Sequence, residues 1–217
     1  KQMKNSIIST LVLTVTLLVN PNKVLAQSEI DFYNIIENVS SDRIEEDITI
    51  LANFGTRHTL SDTLSISRGI GAARRWIFKS FKDISEQCSD CIEVSYQKNY
   101  VEPDGKRIVK PVWINNVVAI QRGTKYPNRY IIMSGDIDSR ISDPNNYTED
   151  SPGANDNASG MAGTIEAARI LSKYNFKNSI IYAGLAGEEQ GLFGGKGLAE
   201  YAKEQGLWAS DGIEFTE

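Results

Sequence analysis

Histidine and cysteine are nearly missing. The 217 residues hold one histidine, His58, and two cysteines, Cys88 and Cys91. A zinc ribbon needs two cysteine pairs, and zinc fingers and three-histidine catalytic centres need more histidine, so all three are excluded. Any Ser–His–Asp or Cys–His nucleophilic site would have to use His58. A basic surplus is missing too. Lys and Arg number 23 against 28 Asp and Glu, a net charge of −5 that argues against a nucleic-acid partner. Internal repeats and low-complexity segments are absent. The remaining composition, 24% charged and 41% hydrophobic, is that of one globular domain with a real core. Carboxylates are what the chain has in quantity, so any metal chemistry must lean on Asp and Glu.

Long apolar runs are equally scarce. Residues 6–19 (SIISTLVLTVTLLV) form one, after Lys1 and Lys4 and before Asn20-Pro21, with Val24-Leu25-Ala26 offering a cleavage site. This layout is that of a secretory signal peptide over residues 1–26, with the apolar stretch shorter than the ~18 to 20 residues of a membrane span. The expectation is a secreted or periplasmic domain over residues 27–217, with no stable membrane insertion after cleavage. Export suits Cys88-Ser89-Asp90-Cys91 to a short-loop disulfide. A redox pair would open a helix after a strand, whereas here a strand pattern follows.

Apolar spacing predicts helices over 29–53, divided at an N-cap in Ser40-Ser41-Asp42, and over 68–82. Phe54 to Ser67 reads as a polar loop. Alternation predicts strands over 92–97 and 112–121, the latter followed by a turn over 123–128, together resembling an antiparallel hairpin pair. Residues 129–134 (RYIIMS) read as a buried strand. A 22-residue polar loop from Gly135 to Asp156 follows, a length that is usually functional or disordered. A helix over 157–174, a buried strand over 178–186 and a helix over 188–205, with Leu192, Leu198 and Tyr201 inward, complete the pattern. Strand, helix, strand, helix makes a βαβ unit with a parallel pair, hence an α/β fold with a mixed, mostly parallel sheet flanked by helices.

Acidic residues fall at equivalent places on that unit. Asp136 and Asp138 follow one strand, Asp156 opens the next helix, and Glu188 and Glu189 follow the next strand. Ligands of open α/β sheets bind beyond the carboxyl ends of the strands, so all five should face one crevice. That much negative charge calls for a cation. In an adjacent Glu pair one carboxylate can bind metal while its neighbour acts as a base. Singly, Asp156 could be a helix cap and Glu188-Glu189 a favoured helix start. Jointly they point to a site.

Asp138-Ser139, the block SPGANDNASGMAG (151–163) and the block AGEEQGLFG (186–194) together resemble the zinc-dependent aminopeptidases of the bacterial leucyl aminopeptidase and aminopeptidase Y type, in peptidase clan MH. The likeness is strongest over 129–206 and fades back towards residue 40. It implies a zinc exopeptidase fold and hydrolysis of N-terminal peptide bonds by two zinc ions acting on a peptide substrate. It also implies roles: Asp156 as the bridging zinc ligand, Glu189 as a zinc ligand, Glu188 as the general base, Asp138 as the acid behind the first metal ligand. Asp136 stands where the family has a histidine ligand. His58 occupies no family ligand position. The family's later aspartate and histidine ligands would lie beyond Glu217, so the expectation is the N-terminal portion of a longer domain. The Asp136 substitution keeps two alternatives open: a glutaminyl cyclase-like enzyme with a single zinc, or an inactive clan member acting as a binding domain.

Overall fold

The computed structural model describes residues 32–204, which fall within one unit of the chain, Asp31–Glu217. The signal-peptide reading of residues 1–26 and the tail from residue 205 lie outside the described residues.

Two helices open the described chain, α1 (Phe32–Glu37) and α2 (Ser41–Ala52). Ser40 caps α2 by accepting the Arg43 amide at 3.3 Å, which satisfies one donor of the open first turn. After a long loop, α3 (Gly69–Gln87) runs one turn further than its apolar spacing suggested. The chain then makes β1 (Ile92–Val101), β2 (Val112–Gln121), β3 (Tyr126–Asp136), α4 (Ser159–Leu171), β4 (Asn178–Leu185) and α5 (Phe193–Glu204). Cys88 and Cys91 are disulfide-bonded across the turn between α3 and β1.

The sheet order is β1-β2-β4-β3. β3 and β4 are parallel, while β1 with β2 and β2 with β4 are antiparallel. The fold is mixed α/β as expected, but among the described residues the sheet is not mostly parallel. A parallel pair needs a crossover, and α4 alone supplies one; β1 and β2 are joined by a plain loop. Nor does β3 form a hairpin with β2, because β4 lies between them.

The main core packs one sheet face against α2, α3 and α4. Its centre is Ile77 and Phe81 of α3, Val117 and Ala119 of β2, Met161 and Ile165 of α4, and Tyr182 of β4. Burying such side chains supplies about 25 cal/mol per Å² of apolar surface, the main drive to this arrangement. The opposite face has a small cluster around Val118, Ile181 and Ala183, reached by Leu198 of α5.

Three expectations are corrected. β3 is an edge strand, with Ile131 51% exposed, not a buried one. It also starts at Tyr126, inside the stretch read as a turn. The last helix begins at Phe193, not Glu188, and turns Gly194 and Gly197 inward while Leu192 and Tyr201 are exposed. A Cβ on Gly194 would lie 2.2 Å from the Ala186 carbonyl, so glycine lets α5 press against the end of β4. The loop read over Phe54 to Ser67 is present, and its stretch Thr56 to Ser61 is buried throughout.

Candidate metal and catalytic site

β3 and β4 end together. Gly135 pairs with Gly184 and Asp136 with Leu185, and the Ile137 amide continues the ladder to the Leu185 carbonyl at 2.6 Å. A Cβ on Gly135 would lie 2.4 Å from the Met161 nitrogen, so glycine there lets the start of α4 close onto the strand end. Asp156 lies in an irregular turn, Ala154–Ala158, immediately before α4. Asn157 of that turn accepts the Asp136 amide at 3.3 Å. β4 continues through Gly187, whose φ of +74° suits glycine, into a turn carrying Glu188 and Glu189.

Asp138 is fully buried and ties these pieces together. Its two oxygens accept the Glu188 and Glu189 amides, each at 3.2 Å, and the Thr59 hydroxyl at 2.9 Å. The paired glutamates therefore project from a turn fixed by Asp138, not from a helix start.

The five carboxylates do share one electrostatic neighbourhood. Burial, then Asp138, Glu188, Asp156 and Glu189, push Asp136 up to about 7. Burial pushes Asp138 up to about 6 against the pull of its hydrogen bonds. Glu188 is also raised, by burial and then by Glu189 and Asp156, with Arg140 and Arg107 opposing. Among the described residues only Glu189 of the five has a cation in contact, the Arg140 Nε at 2.5 Å.

Among the described residues no three His, Cys, Asp or Glu side chains converge closely enough to hold an ion as they stand. The donor chemistry nevertheless fits one: carboxylate oxygens bind zinc as well as harder cations, and the mutual repulsion at Asp136 is what a cation relieves. Glu189 would have to exchange Arg140 for the metal.

Several residues that the sequence reading passed over hold this site. Arg57 is fully buried and donates to the carbonyls of Leu51, Ile137, Pro152 and Gly153 at 2.5 to 3.1 Å. It thereby gathers both ends of the loop between β3 and α4. Burial lowers its pKa to about 10, with Asp138 and Asp156 opposing. His58 is fully buried; Nδ1 accepts the Leu60 amide at 3.0 Å and Nε2 lies 2.9 Å from the Pro144 carbonyl. Gln190 shares that Pro144 carbonyl at 2.9 Å. His58 thus holds loops and is not placed as a nucleophile's base. The clue in the sequence was the run FGTRHTLSDT itself, whose polar side chains are compatible with burial wherever they serve backbone groups.

Residues 116–215 match the model of Peptidase family M28. The chain belongs to peptidase family M28. A "Probable zinc metalloprotease" of Pyrenophora teres f. teres is 46% identical over 169 residues, 78% of this chain and 35% of the relative. One of Leptosphaeria maculans is 48% identical over 165 residues, 76% and 38% of the two chains. This M28 chain therefore spans little more than a third of the length of these relatives. Among solved structures, the LapA aminopeptidase of Legionella pneumophila matches with a TM-score of 0.63 at 20% identity, over 82% of this chain and 44% of that one. Fimbriiglobus ruber glutaminyl cyclase gives 0.61 at 18% identity, over 79% and 58%. At such identities the likeness is one of fold.

Proposed function

We propose that the M28 chain contributes the metal-holding carboxylates and the general base of a secreted or periplasmic zinc aminopeptidase acting on N-terminal peptide bonds. One observation carries this reading: Asp136 is raised to about 7, first by burial and then by the charges of Asp138, Glu188, Asp156 and Glu189 around it. Asp136, Asp156 and Glu189 would hold zinc, with Asp136 replacing the family histidine. The family resemblance supports two ions in the intact site. Zinc, when bound, supplies the Lewis acidity that polarises a carbonyl and makes water easier to deprotonate.

The remaining work falls to the chain's own groups. Glu188 takes the proton of the attacking water on a carboxylate oxygen. Its raised pKa makes it a better base near neutral pH than an ordinary glutamate. Asp138 keeps that oxygen in place through the Glu188 and Glu189 amides. Arg140 limits the charge around Glu189 until metal arrives.

Turnover of an aminoacyl anilide by the zinc-loaded protein is expected to fall about 100-fold or more in Glu188→Gln, with bound zinc unchanged. Undiminished turnover would overturn the assignment of the base. The Asp136 substitution also motivates the cyclase reading. Conversion of an N-terminal glutamine peptide to a cyclised product, with no free amino acid released, would replace the peptidase reading with that one.

A further inference from the structure

A cavity lies beside the carboxylates, at the same end of the sheet. It has a volume of about 600 Å³ and is walled by Thr59, Arg74, Lys98, Lys110, Trp113 and Asn115 among others, none of them acidic. It adjoins the site through Thr59, whose hydroxyl donates to Asp138 at 2.9 Å. Lys110 joins them again, its ammonium 4.3 Å from the centre of the Tyr147 ring, which in turn faces His58.

Two features of the wall ask for a ligand. The Arg74 and Lys98 side chains make no hydrogen bond or ion pair with any described residue. Arg74 is half-buried, so its charge is partly stripped of water without compensation. Burial chiefly, aided by Arg75 and opposed by Tyr96, lowers its pKa, as befits a cation lacking an anion. The second feature is Asn115, whose Oδ1 is buried and accepts nothing. A buried amide oxygen of this kind wants an N–H donor.

We propose that this cavity binds an acidic side chain of a peptide, its carboxylate held by Arg74, Lys98 and Lys110 and a neighbouring backbone N–H donated to Asn115. A peptide offers both complements at once: an anion for the three cations and an amide hydrogen for the orphaned oxygen. The exposed indole of Trp113, against Tyr100 at 5.2 Å between ring centres, gives the peptide an apolar wall. The cavity makes the M28 chain selective for peptides bearing Asp or Glu away from the cleaved residue. In this it rests on the peptidase reading.

The test is binding to a tetrapeptide blocked at both ends with one aspartate, compared with its asparagine twin, by calorimetry on the metal-free chain. The aspartyl peptide is expected to bind about tenfold more tightly, the worth of a charge-assisted hydrogen bond. Arg74→Gln is expected to erase the difference, and Asn115→Leu to weaken both peptides alike. If Arg74→Gln fails to fold, the Lys98→Gln/Lys110→Gln double variant carries the same expectation. Equal affinity for the twins would overturn the proposal, as would a difference that survives loss of the cations. Inorganic phosphate binding as tightly as the aspartyl peptide would also overturn it, by showing a generic anion site. Blocked termini prevent hydrolysis, so this result stands apart from the Glu188→Gln experiment. Acid preference without turnover would sink only the peptidase reading, and turnover without acid preference only the cavity.

Discussion

Asp136 concentrates the electrostatic cost of the strand-end site. Its folded-state pKa of about 7 lies above its ordinary 3.8 because burial and four other carboxylates disfavour its charge. The folded chain therefore holds this proton more tightly than the unfolded chain. The associated stability is complete below about 3.8 and is lost as pH rises through about 7. Asp138, raised to about 6, adds in the same direction. The melting temperature of the chelator-treated chain is expected to fall by on the order of 5 °C between pH 5 and pH 8. Asp136→Asn is expected to flatten that slope, and a slope unchanged in this variant would count against the electrostatic account. At this scale the acids were legible in the sequence because their positions follow strand ends. Arg57 was not, because nothing in a single letter says that a guanidinium will be buried to serve four carbonyls. Arg140 was missed for a similar reason: its partner Glu189 is near only after folding.

Helices α2 and α4 are joined by a partly buried ionic network. Glu166 accepts from Arg43 at 2.5 and 2.9 Å and from the Ser40 amide at 2.9 Å, while Arg169 bridges to Asp47 at 2.8 Å. The Glu166 side chain is only 3% exposed, so removing it would leave the Ser40 amide without its acceptor and Arg43, itself 45% exposed, without its carboxylate, while Arg169 keeps Asp47. Glu166→Ala is expected to lower unfolding stability by about 1.5 kcal/mol, read from urea denaturation. A loss within about 0.5 kcal/mol would show that water replaces the carboxylate freely. Elements were the most legible level. Periodicity placed α2, α3 and α4, and β2 spans the very residues that its alternation marked, since one face of each meets the core. Legibility failed where a local pattern depends on distant packing. Residues 188–192 have helical spacing, but Asp138 captures the Glu188 and Glu189 amides and the chain turns instead. Residues 56–61 are polar yet buried because they serve the backbone of the loop after β3.

Residues 32–204 form a sheet covered unevenly by helices. Among the described residues three helices pack on one face, only α5 reaches the other, and β3 forms an edge with Ile131 and Met133 exposed. An apolar edge strand is a template for pairing with a second chain. The isolated chain is expected to self-associate in light scattering at high concentration, and Ile131→Lys to suppress this. A monodisperse wild type would contradict it. The order of strands was only half legible: the β3–α4–β4 crossover followed from pattern, but the insertion of β4 between β2 and β3 is a long-range choice that no local spacing records.

That crossover brings the five acids to one place, and the central claim is that they form a metal site. Titration of the chelator-treated chain with zinc, followed by calorimetry, tests this most directly. Wild type is expected to bind zinc and release protons as the raised carboxylates ionise, and Asp156→Asn to weaken binding about tenfold or more. Zinc binding that is equally tight in Asp156→Asn, or absent from the wild type, would contradict the claim.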